Sequence, residues 1–97
     1  MKQLLLIPVL ALALLSGAAQ ARAADCYADY KAKQDNPLKL HYGVIQISGP
    51  CKKGAARQEI AARLAPTGWT LLNVISVFGP DGLQQRKANA GTYFLRF

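Results

Sequence analysis

The sequence predicts an α+β fold: a small antiparallel sheet of about three strands packed on one or two helices, in the order (α)-β-α-β-β. Three observations lead there. Residues 54–65, GAARQEIAARLA, repeat apolar side chains every four positions. Residues 39–48, KLHYGVIQIS, and 69–78, WTLLNVISVF, are rich in β-branched and aromatic residues. Turn signals separate these segments: Asp35-Asn36-Pro37, Gly49-Pro50 and Gly79-Pro80-Asp81-Gly82.

The chain opens MKQLLLIPVLALALLSGAAQARA, with one lysine, an apolar run from Leu4 to Leu15 and then small residues. That is the three-part pattern of a secretory signal peptide. Ala21-Arg22-Ala23 places small residues at the −3 and −1 positions, so cleavage is expected after Ala23, with Ala21 as the alternative. The run is shorter than the roughly 20 apolar residues that span a bilayer, so no transmembrane span is expected after cleavage. Asp25 directly precedes Cys26, and no leucine-containing box lies at the right distance, which argues against lipidation of that cysteine. The expected organisation is a signal peptide over 1–23 and one small α+β domain over 24–97. The expected location is periplasmic or secreted.

The first segment of that domain, residues 25–34, reads two ways. Cys26, Ala28, Tyr30 and Ala32 alternate with Tyr27, Asp29, Lys31 and Lys33, which suits a strand. Yet it holds no β-branched residue and is rich in Ala, Lys and Gln, with Asp25 placed to cap it, and helix is the favoured reading. Residues 39–48 read as a strand, with Gly43 marking a bulge or a close backbone approach. The clearest helix, 54–65, puts Ala56, Ile60 and Leu64 on one stripe and sets Glu59 four residues before Arg63. Lys52 and Lys53 would oppose its dipole, so they belong to the loop ahead of it. Strand 69–78 is expected to turn Leu71, Ile75 and Val77 to one face, and Leu72, Val74 and Phe78 to the other. Residues 83–90, LQQRKANA, admit a short helical turn, and TYFLRF closes the chain as a third strand.

An even cysteine count in an exported chain points to a Cys26–Cys51 disulfide. It would close a loop of about 25 residues, worth roughly 3–4 kcal/mol in the chain-entropy picture. A chain this small has a limited core, and a staple compensates for it. Without a Cys-x-x-Cys pair, and with a single histidine, neither redox nor zinc chemistry is expected, and no cofactor or metal is.

The segment GWTLLNVISVF, read as GW-x-L-x-x-V after a helix and before the aromatic TYFLRF, resembles a family of small exported bacterial proteins that is itself uncharacterised. The resemblance covers roughly residues 56–97. It implies a fold and no chemistry. The signal peptide, the cysteine pair and the N-terminal extension depart from that layout. Tyr93, Leu95 and Phe97 also resemble the last strand of an outer-membrane barrel, but the 74 residues of 24–97 cannot build the eight strands of about 9–11 residues, with their turns, that the smallest such barrel needs.

Function is read mainly by exclusion. The only imidazole is His41, and neither a Gly-x-Ser-x-Gly elbow nor a phosphate-binding glycine loop is present. The expectation is therefore a non-enzymatic, envelope-associated binding or accessory protein. The alternative is a small periplasmic hydrolase using His41 with partners among Asp29, Asp35, Asp81, Ser48, Ser76 and Thr92. Removing Lys2 and Arg22 with the signal lowers 12 basic residues to 10 against 5 acidic ones, and the net charge from +7 to +5. Two basic clusters, Lys52-Lys53 with Arg57 and Arg86-Lys87, are candidate anion-binding residues. They suit an acidic protein or an anionic envelope surface. Nucleic acid is not an expected partner, because no dense basic face or known motif is present.

Overall fold

The computed structural model describes residues 25–97. The signal-peptide reading of 1–23 lies outside the described residues. Residues Cys26–Gln34 form a strand, β1, and not the favoured helix. The physical reason is tertiary: Cys26, Ala28, Tyr30 and Ala32 are all buried, and alternation delivers all four to one face. Helix propensity is a weak prior beside that burial.

Four turn residues, 35–38, lead into β2, Lys39–Ile47, which pairs antiparallel with β1 from Cys26–Ile47 to Gln34–Lys39. The Asn36–Pro37 bond is cis, and Asn36 takes φ 60°, a left-handed conformation that asparagine tolerates. Helix α1, Lys53–Leu64, comes next and buries Ala56, Ile60 and Leu64, the stripe expected from its four-residue repeat. It ends in a short 3₁₀ turn, Ala65–Thr67, and Gly68 at φ 88° releases the chain. Strand β3, Thr70–Phe78, then pairs with the other side of β1. The sheet order is β2-β1-β3, antiparallel throughout. α1 therefore joins two strands that β1 separates.

Two one-residue bulges interrupt β3, one at Leu72 and one at Ile75. Each flips the facing of the residues after it. Leu71, Val74 and Val77 accordingly face the core, while Leu72 and Ile75 are exposed. The expected partition of this strand is corrected to that extent.

The core lies between one sheet face and α1. Tyr30 sits at its centre, opposite Gly43 on β2 and Val74 on β3. A Cβ on Gly43 would stand 2.5 Å from the Tyr30 hydroxyl, so glycine there is the condition for the ring to lie flat across β2.

After β3 comes a 3₁₀ turn, Pro80–Gly82, then helix α2, Gln84–Ala90, and a second such turn, Gly91–Tyr93. The closing segment is not a strand. It touches the sheet by one parallel bridge, Val44–Phe94, and one hydrogen bond from Leu95 N to Val44 O at 2.8 Å. Leu95 at φ 55° breaks the extension, and the segment is held by ring stacking instead. The class and the three-stranded antiparallel sheet match the sequence expectation; the order is β-β-α-β-α.

Candidate binding face

The two sheet faces differ in how completely they are covered. On the α1 face, His41 is only 7% exposed. Its Nε2 lies 2.9 Å from the Tyr30 hydroxyl, and its ring stacks on Tyr93 at 3.8 Å and meets Trp69 edge-on at 4.3 Å. Ala32, paired with both His41 and Leu71, is small enough for that closure across β1. Nδ1 has no hydrogen-bond partner among the described residues. Burial pushes the His41 pKa below its ordinary value. Burial, together with the nearby Tyr93, pushes the Tyr30 hydroxyl up to about 12, against a smaller opposing effect of Arg63. Near neutral pH both are uncharged. His41 is thus a core residue wrapped in aromatic rings.

The opposite face carries a polar hub that sequence reading missed. Asp29, 5% exposed, accepts hydrogen bonds from Ser76 N at 2.9 Å, Ser76 Oγ at 2.7 Å, the Tyr42 hydroxyl at 2.9 Å and Arg86 Nε at 3.0 Å. Burial alone would raise its pKa, but the bonds from Ser76, Tyr42 and Arg86 outweigh that and hold it below its ordinary value. Arg86 also donates to Gly82 O at 2.7 Å and lies 3.9 Å over the Phe78 ring. That guanidinium pins α2 to this end of the sheet, and Ala90 at the other end of the helix is buried. Of the expected anion-binding residues, Arg86 thus points its guanidinium at Asp29 and Gly82 O.

The other members of that set stay at the surface. Lys52 and Lys53 stand at the start of α1, Lys53 inside it, with Arg57 one turn on; all are exposed. Lys87 is exposed on α2, its Nζ 6.0 Å from the Phe94 ring centre. The two clusters lie on different elements. The expected disulfide is present: Cys26 and Cys51 are bonded, with Cα atoms 5.7 Å apart, tying the start of β1 to the loop before α1.

α2 covers the second face only near Asp29 and Val44. Toward the β1–β2 turn that face is open. Leu40, Tyr42 and Leu72 wall a half-open concavity of about 220 Å³ over the β1 and β2 backbone, with Lys31 beside it. Leu38, Leu40 and Leu72 are 64%, 66% and 50% exposed. Cross-strand pairing sets Lys33 beside Leu40 and Lys31 beside Tyr42. Neither lysine belongs to a run of basic residues. Their i,i+2 spacing becomes a signal only once residues 26–34 are known to be a strand. Among the described residues, no three His, Cys, Asp or Glu side chains come together as a metal site, and no helix is long and apolar enough to cross a membrane.

No family model, curated protein or solved structure matches this chain.

Proposed function

We propose that the protein is an exported, disulfide-stapled binding module of the bacterial envelope, working without catalysis, and that it belongs with the small exported bacterial proteins its second half resembles. The observation that carries this reading is the half-covered sheet face. Leu40 and Leu72 lie in the open beside Lys31 and Lys33, and among the described residues nothing covers them. Apolar surface without a packing role is what a binding site presents. The disulfide fits an oxidising compartment outside the cytosol. The alternative, hydrolysis through His41, finds little support in a buried imidazole whose hydrogen-bonding neighbour is a tyrosine hydroxyl with its pKa raised to about 12.

Amine labelling of the protein in its native envelope and after purification tests the reading. Lys31 and Lys33 should be protected in the envelope and labelled in the purified protein, with Lys52, Lys53 and Lys87 labelled alike in both. The intact mass from the same sample should match residues 24–97 less two hydrogens. Equal labelling of Lys31 and Lys33 in the two states would sink the binding face, and the mass of the whole chain would sink export with cleavage.

A further inference from the structure

We infer that the open end of the sheet docks onto an anionic phospholipid surface, leucines inserted and lysines at the headgroup phosphates; this rests on the proposed binding role of that face. Three features converge there. First, Leu38, Leu40 and Leu72 occupy a turn, a strand end and a bulge, and each of these apolar side chains is half exposed or more. Second, the lysines are interleaved with the apolar residues. Lys33 pairs across the strands with Leu40, and Lys31 with Tyr42. A lysine stem lies along apolar neighbours while its ammonium reaches outward, which matches the layering of acyl chain below and phosphate above. Third, the charge around the patch is positive. Lys33 and the exposed Asp35 form a surface pair at 3.4 Å, Asp29 beneath the same face is buried against Arg86, and Lys31 adds a further positive charge with no ion pair among the described residues.

Those features also select among occupants. A second copy docking by a two-fold axis would set this patch against itself and gather two copies each of Lys31 and Lys33 in one interface. An acidic protein would satisfy the lysines and leave the leucines to find separate partners. A bilayer interface takes both together, accepting apolar side chains about 5–10 Å deep.

Co-sedimentation of the exported protein, its processed N-terminus verified by mass, tests the assignment. The probes are vesicles of phosphatidylethanolamine with phosphatidylglycerol, and neutral phosphatidylcholine vesicles. Binding should be confined to the anionic vesicles and should weaken with added salt. Lys31→Gln with Lys33→Gln should weaken it roughly 30-fold, from a little over fivefold per lysine at an anionic surface. Leu40→Ser with Leu72→Ser should abolish the binding that survives in salt. These positions are exposed, and a denaturant midpoint equal to that of the parent verifies that each variant is folded. Leu40→Trp supplies an independent reading: its fluorescence should shift to the blue on anionic vesicles. Absence of binding to anionic vesicles would overturn the inference, as would binding lost with Lys52 and Lys53 replaced but kept with Lys31 and Lys33 replaced. Capture by polyglutamate but not by vesicles would overturn the membrane assignment while leaving a binding role. Protection of Lys31 and Lys33 in the envelope with no vesicle binding would separate the two in the same way.

Discussion

His41 and Tyr30 share a hydrogen bond inside a cluster of rings, and burial holds both uncharged near neutral pH. The groups around the imidazole are the hydroxyls of Tyr30 and Tyr93, with Arg63 near Tyr30 and Arg96 6.0 Å from the Tyr93 ring centre. Among the described residues, no Asp or Glu side chain bonds to either nitrogen of the ring. The folded pKa lies below the ordinary 6.5, so the unfolded chain binds the proton more readily. The stability that His41 supplies is complete above 6.5 and is lost as pH falls through the folded value. Thermal melting across that range should show a falling Tm in the parent protein. His41→Phe should flatten that slope, whatever it does to the Tm at neutral pH. An equal slope in both proteins would assign the acid sensitivity to other groups. Asp29 and Glu59 work in a lower window, since their pKa values lie below the ordinary carboxylate range and their contributions fade only in stronger acid.

α2 spans only Gln84–Ala90, too short to be stable by itself, so it exists because the sheet holds it. Its anchor is Arg86 on Asp29, in a pocket where Gly82 is needed because a Cβ would stand 2.6 Å from the Phe78 ring and 2.7 Å from Arg86 Nη1. Arg86→Gln would leave a buried carboxylate without its cation. The expected cost is about 3 kcal/mol, the low end for a broken buried pair because the guanidinium keeps some solvent contact. The deficit should shrink in strong acid, as pH falls through the lowered folded pKa of Asp29, because the protonated carboxyl no longer needs the charge. Urea midpoints of the two proteins at neutral and acid pH check both parts. A deficit independent of pH would locate the loss in the stack on Phe78 rather than in the ion pair. This hub also shows where sequence reading stops. α1 was legible because its pattern is local, Ala56, Ile60 and Leu64 one turn apart. Asp29, Tyr42, Ser76 and Arg86 come from four separate elements, and no spacing along the chain announces them. β1 was ambiguous because its alanines, good helix formers in isolation, serve here as thin spots over which Trp69 and α1 close down. TYFLRF alternates as a strand should, but a 3₁₀ turn takes up Thr92 and Tyr93, and the left-handed Leu95 breaks what remains into a docked tail.

The whole molecule depends on joining β1 to the loop ahead of α1. Glu59 on α1 accepts hydrogen bonds from Ser48 N at 2.8 Å and Gly49 N at 3.0 Å, and Arg63 donates to Gln46 O at 2.6 Å. These bonds seat α1 on the end of β2, but they are exposed to water and individually small. The Cys26–Cys51 bond constrains the same corner covalently, across a sequence separation of 25. Closing such a loop is worth roughly 3–4 kcal/mol, close to the whole net stability expected of a core this size. Reduction should therefore lower the denaturant midpoint steeply and raise the dependence on denaturant, since the reduced unfolded chain is more expanded. Urea titrations with and without reductant measure both quantities. A loss below about 1 kcal/mol would mean that the Glu59 and Arg63 contacts seat α1 without the staple. On the export reading, the larger loss has a consequence in the cell. A chain that folds firmly only after oxidation stays open for translocation, then locks its sheet, and with it the spacing of Lys31, Lys33, Leu40 and Leu72, in the compartment where that face is used.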